Sequence, residues 1–212
     1  MSKIQEIQTA VESGKQKIVK GLVEEALQQG LDPVAILNEG MIEAMGNIGE
    51  KFKTGEVFVP EMLVAARAMK AGVEILKPHL ARKQHTTVGK FIIGTVEGDL
   101  HDIGKNLVAM MVEGSGFEVI DLGVDVSPET IIETIKANPD CCIVGLSALL
   151  TTTMPSLNRT VAAITEAGLR NQVKIMVGGA PITQDFADTI GADGYAADAA
   201  SAASLAKEMI AS

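Results

Sequence analysis

The sequence predicts an α/β protein in two parts: an N-terminal four-helix bundle and a C-terminal Rossmann-like (flavodoxin-like) doubly wound sheet of five parallel strands. Three observations carry this reading. Up to about Leu80, apolar residues recur at helical spacing. Beyond residue 88, short apolar runs alternate with helical stretches. Between them lies a polar stretch, residues 82–87, that reads as a linker. The expected boundaries are residues 1–81 for the bundle, 82–88 for the linker and 89–212 for the α/β domain.

The helical part is read as follows. Ile4, Ile7 and Val11 form the first stripe, and Ile18, Leu22, Val23, Ala26 and Leu27 the second, ended by Gly30. Asp32 caps a third helix with Pro33 at its first position, carrying Ile36, Leu37, Met41, Met45 and Ile48. The break KTGEVFVPE follows, and Pro60 opens a fourth helix bearing Met62, Leu63, Ala66, Met69, Val73 and Leu76. Short loops between apolar-faced helices suggest an up-down bundle.

In the second part the strands are expected at VGKFIIGTV, FEVIDLG, CCIVGLSA, VKIMVGG and the weaker DGYAA. Helices are expected to begin near Ile103, Pro128, Met154, Ile182 and Asp198. Continuous apolar runs suit strands covered on both faces. Such sheets bind ligands beyond the carboxyl ends of their strands, which directs attention to the loops after Val96, Gly123, Leu146 and Val177.

Composition narrows the function. Of 212 residues 47% are hydrophobic and only 3% aromatic, so the core is aliphatic. A net charge of -9 argues against a nucleic-acid backbone or an anionic membrane surface as partner. The only cysteines, Cys141 and Cys142, are adjacent and sit in an apolar run, which favours two packed thiols over a disulfide and fits a reducing compartment. The amphipathic N-terminus lacks a signal-peptide run, and no segment is long and apolar enough to span a bilayer, so a soluble cytoplasmic protein is expected.

The loop after the first strand concentrates the chemistry: Glu97-Gly98-Asp99-Leu100-His101-Asp102-Ile103-Gly104-Lys105. His101 stands at a strand-to-helix turn with Asp99 two residues before it. A carboxylate on the inner ring nitrogen fixes the tautomer and raises the basicity of the outer one, which makes a good metal ligand. Gly98 and Gly104 permit a tight turn and the approach of a bulky group. A lone histidine at such a turn is more often a helix cap; the whole loop favours the ligand. The loop lacks the P-loop and dinucleotide fingerprints. Zinc needs three or four ligands, and the other histidines, His79 and His85, lie in or beside the linker. Ser147 lacks the flanks of a nucleophile elbow. Two further loops are built of small and hydroxyl residues: Gly145-Leu146-Ser147-Ala148-Leu149-Leu150-Thr151, and Gly178-Gly179-Ala180-Pro181. The second reads equally well as a simple turn. Together with His101 they outline a slot for a large flat ligand with a long tail.

Asp99-x-His101-x-x-Gly104, Ser147-x-Leu149 and Gly178-Gly179 resemble the B12-binding signature of methionine synthase and the corrinoid proteins. Residues 45–52 (MGNIGEKF) and 55–60 (GEVFVP) resemble their helical cap, so the resemblance covers nearly the whole chain. With no further catalytic domain visible, the chain is most similar to the small corrinoid proteins of three-component methyltransferase systems acting on methylamines, methanol or methoxylated aromatics.

The resemblance implies cobalamin as cofactor, bound with its own base displaced and His101 as the lower axial cobalt ligand. It implies that Asp99 holds the imidazole, and that Ser147 ends the proton relay or meets the displaced base. Further cofactor contacts are implied at Gly98, Leu100, Asp102, Ile103 and Gly104 in the first loop. Leu149 and Thr151 in the second loop, Gly178 and Gly179 in the third, and Ala199 complete them. The cap would cover the upper face through Phe52 and Val59, where methionine synthase carries a leucine at the second position. Glu39 aligns with a cofactor-contacting glutamate across a one-residue gap. The implied function is a methyl carrier, inactive alone, with residues 82–87 as hinge. It would shuttle a methyl group from a substrate-specific methyltransferase to a second methyltransferase that serves tetrahydrofolate or a thiol, with a reductive activator as a further partner. The rival readings are the small subunit of a mutase, which the cap motif disfavours, and a B12-dependent regulator, for which no DNA-binding basic patch is present.

Overall fold

The computed structural model describes residues 1–82 and 87–211. Most of the expected linker, His85 included, lies outside these residues. The chain divides into two compact units, Met1–Thr87 with Gly114–Gly116, and Val88–Glu113 with Phe117–Ser212.

In the helical unit, α1 (Lys3–Glu12) opens with a capping box. The Ser2 hydroxyl accepts from the Gln5 N–H, and the Gln5 side chain accepts from the Ser2 N–H, so donors that a helix start leaves unpaired are satisfied. Helix α1 buries Ile7 and Val11 against α2 (Gln16–Gln28), which buries Val19, Val23 and Ala26. Asp32 caps α3 (Pro33–Ala35) by accepting from the Val34 N–H. The chain then widens into a π-helical segment, Ile36–Ile42, and returns to α-helix in α4 (Glu43–Lys53). Residue periodicity read this stretch as one α-helix and missed the wider turn, in which the Glu43 N–H reaches back to the Asn38 carbonyl. Helix α5 (Val59–Arg82) packs along α2 and buries Met62, Ala65, Ala68 and Met69.

The second unit is a five-stranded, all-parallel sheet in the order β2-β1-β3-β4-β5. Its strands are β1 (Lys90–Thr95), β2 (Glu118–Asp121), β3 (Cys141–Ser147), β4 (Lys174–Gly178) and β5 (Gly194–Tyr195). The intervening helices are α6 (Ile103–Gly114), α7 (Pro128–Ala137), α8 (Met154–Glu166), α9 (Gln184–Ile190) and α10 (Ala199–Ala211). This is the flavodoxin-like order, whose switch point lies between β1 and β3. The core is aliphatic, with Ile92, Val144, Leu146, Leu157, Ile175 and Val177 buried together. Gly145 makes room for the one fully buried large ring of the sheet: a Cβ there would lie 2.8 Å from Phe91. Helix α9 starts after the position expected from Ile182, because Thr183 is its cap and Ile182 is committed to the core. Both cysteines are free thiols. Burial pushes the Cys141 thiol up to about 11 and raises that of Cys142 as well. Among the described residues no helix is long and apolar enough to cross a membrane.

Lys105, in the first turn of α6, is buried and paired with Asp121 at the end of β2 (2.5 Å), while its ammonium also donates to Asn106. This pair ties the helix that follows the His101 loop to the sheet. Removing one partner of a buried pair strands the other, although Asp121 keeps some access to water. Lys105→Ala is therefore expected to cost about 2 kcal/mol of stability, which thermal unfolding should register as a fall of about 4–8 °C in Tm.

Candidate functional site

The site assembles at the carboxyl ends of β1 and β3, beside the switch point. The chain leaves β1 through Val96, turns at Gly98 in the left-handed region (φ +85°), and presents Asp99 and His101 before α6 begins. Glycine is the residue that adopts this turn without strain. The Thr95 hydroxyl, fully buried, donates to the His101 carbonyl at 2.9 Å and holds the loop down on its own strand.

Asp99 is the centre. Its side chain is 0% exposed. Oδ1 accepts from the His101 N–H (3.1 Å) and pairs with His101 Nδ1 (2.8 Å). Oδ2 accepts from the Thr153 hydroxyl (2.7 Å) and from the N–H groups of Leu149 (2.8 Å) and Leu150 (3.3 Å). Burial alone would push this carboxyl up. The hydrogen bonds from Thr153, Leu149 and His101 outweigh it and hold the group well below the usual carboxylate range. Asp99 is therefore an anion that fixes the imidazole. In the neutral ring, Nδ1–H donates to Asp99 and the lone pair falls on Nε2. The His101 side chain is 50% exposed. With Nδ1 turned inward, the exposed part of the ring is the Nε2 side.

The surroundings fit a large flat group with a metal at its centre. Leu100 (71% exposed) and Ile103 (78%) flank His101 with apolar surface, and Leu149 and Leu150 present more from the next loop. Nothing stands within 4 Å of where a Cβ on Gly104 would project, so the first turn of α6 is open to close approach. A nitrogen donor oriented by a buried carboxylate, on an apolar floor, is the donor set that a planar metal macrocycle needs beneath it. Among the described residues no cluster of three or more His, Cys, Asp or Glu side chains is placed to hold a bare metal ion.

The other expected residues are distributed as follows. Ser147 ends β3, half-buried. The hydroxyl that reaches Asp99 is Thr153, in the 3-10 turn Thr151–Thr153 before α8. The family resemblance implied Ser147 at the end of the relay or beside the displaced base, and the hydroxyl bonded to Asp99 stands six residues later. The only sequence signal for it is the Thr151-Thr152-Thr153 run; Thr151 itself is exposed. Asp102 is exposed and accepts from the Asn106 side chain (3.0 Å). Gly179 follows β4 at φ +132°, and a Cβ there would meet the Ala148 carbonyl oxygen at 1.8 Å. The missing side chain thus lets the loops after β3 and β4 touch, with the Ala148 N–H donating to the Gly178 carbonyl (3.2 Å). Ala199 is buried at the start of α10. Glu39, Phe52 and Val59 belong to the helical unit: Glu39 is exposed in the π-helical segment, while Phe52 and Val59 are half-buried in α4 and α5.

Fold and site together define a class: a flavodoxin-like domain that offers a carboxylate-held imidazole at its switch point. A model described as "B12 binding domain" matches residues 89–204, and a second model with the same description matches residues 3–77. "Trimethylamine corrinoid protein 2" of Methanosarcina acetivorans is 49% identical over 189 residues, covering 88% of this chain and 86% of that one. "Dimethylamine corrinoid protein 1" of the same organism is 44% identical over 210 residues, covering 98% and 97%. The solved methanol:cobalamin methyltransferase complex of Methanosarcina barkeri contains a similar chain, with TM-score 0.88 and 29% identity over 99% of this chain and 80% of that one. The chain belongs to the B12-binding family of corrinoid proteins.

Thr153→Val keeps the shape of the side chain and removes its donor from a buried carboxylate. A loss of about 1–3 kcal/mol in urea unfolding is expected. An unchanged midpoint would mean that Asp99 does not depend on this hydroxyl.

Proposed function

We propose that the chain is a corrinoid methyl carrier that binds cobalamin with its base displaced and His101 as the lower axial ligand of cobalt. The single observation that carries this reading is the buried, fully hydrogen-bonded Asp99 beneath a half-exposed imidazole. When bound, the corrinoid supplies the cobalt that takes up and gives up the methyl group. The chain's own part is to hold Nε2 outward, to keep Nδ1 on Asp99, and to floor the site with Leu100, Ile103, Leu149 and Leu150.

The names of the relatives, trimethylamine and dimethylamine corrinoid proteins, support methylamines as the ultimate methyl source. The solved complex supports a substrate-specific methyltransferase as partner. A second methyltransferase would pass the methyl to tetrahydrofolate or a thiol, and a reductive activator would restore the carrier. Gly178, Gly179, Ser147 and Ala199 would accommodate the cofactor tail. The boundary between the helical and cofactor-binding domains falls within residues 82–88. An acidic chain with two free thiols fits a reducing cytoplasm.

Purified protein mixed with hydroxocobalamin should retain corrinoid through desalting, with a shifted visible spectrum. His101→Ala should lose the shift, and an unchanged spectrum in that variant would remove His101 as ligand. The carrier role has its own test. Reduced holo-protein alone should not demethylate methylamines, whereas addition of a cognate methyltransferase should methylate the corrinoid in step with substrate loss. Multiple turnover without a partner would point to a self-contained enzyme instead.

A further inference from the structure

Asp125 is the one described residue other than glycine with a left-handed backbone (φ 54°). It lies in the loop after β2, which none of the site residues above occupies. The backbone around it explains the conformation. Thr95 bonds this loop on both sides: its N–H donates to the Gly123 carbonyl, and its carbonyl accepts from the Val126 N–H, each at 3.0 Å. Val124 and Asp125 are thus looped out between two bonds to one residue, as in a bulge beside a ladder. Bulges of this kind re-aim a side chain and are frequent beside functional sites.

What Asp125 is aimed at is the turn that carries the site. Its Oδ1 accepts from the Gly98 N–H at 2.7 Å, and its own N–H donates to the Asp99 carbonyl at 3.0 Å. One residue therefore holds the Glu97–Gly98 peptide and the Asp99–Leu100 peptide, while Thr153, Leu149 and Leu150 hold the Asp99 carboxylate. Asp125 makes both bonds with its backbone in the left-handed region. Aspartate and asparagine tolerate that region better than other residues with a side chain. Strain held at one residue by bonds to a site loop points from the outlier toward a role.

We infer that Asp125 is a positioning residue: by holding the Glu97–Gly98 peptide and the Asp99–Leu100 peptide it fixes the turn between them so that the Asp99 carboxylate meets His101 Nδ1 squarely, an inference whose bearing on corrinoid binding rests on His101 being the cobalt ligand. Losing it leaves the fold in place and lets the Asp–His pair loosen.

The test uses three variants of the full chain. Asp125→Gly accepts the left-handed φ without strain and deletes the acceptor. Asp125→Asn keeps both the φ tolerance and an oxygen acceptor. His101→Ala marks the ligand. In the apo-protein, long-range 15N–1H correlation of the histidine rings reports the tautomer of His101. Wild type and Asp125→Asn should hold the proton on Nδ1, whereas Asp125→Gly should show a mixed population at a melting temperature close to wild type. In titration with hydroxocobalamin, Asp125→Gly should bind about tenfold more weakly than wild type, and Asp125→Asn within about twofold of it. A locked tautomer and wild-type affinity in Asp125→Gly would overturn the inference. So would Asp125→Asn failing as badly as Asp125→Gly, because the acceptor would then not be the cause. If His101→Ala gives the wild-type corrinoid spectrum, the ligand assignment fails, while the tautomer comparison still decides whether Asp125 positions the pair.

Discussion

The site depends on one buried anion. A carboxylate taken out of water is costly unless its lone pairs are filled, and at Asp99 they are filled from two loops at once. The Leu149, Leu150 and Thr153 donors come from the loop after β3, about fifty residues along the chain from the histidine they help to orient. The imidazole cannot shift without disturbing the carboxylate, and the carboxylate cannot shift without leaving donors of the second loop unpaired. That interdependence holds the loop histidine in place through Asp99.

The rest of the α/β unit can be read as what makes this anion possible. Parallel pairing of β1 with β3 brings the two loops side by side at the switch point. Gly145 leaves room for the buried Phe91 ring beside the paired central strands. Gly179 lets the loop after β4 approach the Ala148 backbone, which steadies the segment from which Leu149 and Leu150 donate. The Lys105–Asp121 pair anchors α6 immediately after the histidine loop. Small residues and one buried ion pair fix the backbone; Asp99 then has only to accept.

Much of this was legible in the sequence, for physical reasons that apply unevenly. The strands read clearly because they are covered on both faces and therefore carry unbroken apolar runs, as in FIIGT and CCIVGLS. Asp99 and His101 were legible because a short spacing across a turn constrains their geometry. Thr153 and Asp125 were not. Their roles arise from loops that meet only after the sheet has formed, and a threonine or an aspartate in a loop carries no mark of which distant backbone it will bond. The π-helical segment at Ile36–Ile42 was missed for a different reason: its apolar residues satisfy the α-helical pattern nearly as well as their own. The helix expected near Ile182 begins two residues later, at Gln184, because a buried residue just before a helix looks in sequence like its first apolar position.

The central claim is that a nitrogen of this chain, His101 Nε2, is offered to cobalt while Nδ1 stays on Asp99. Its most direct test is electron paramagnetic resonance of the reduced, Co(II) form of reconstituted protein grown with 15N-histidine. If the protein supplies the axial nitrogen, the nitrogen splitting of each cobalt line should change from the triplet of 14N to the doublet of 15N. A triplet that persists in fully labelled protein would mean that the corrinoid keeps its own base, and would contradict the account.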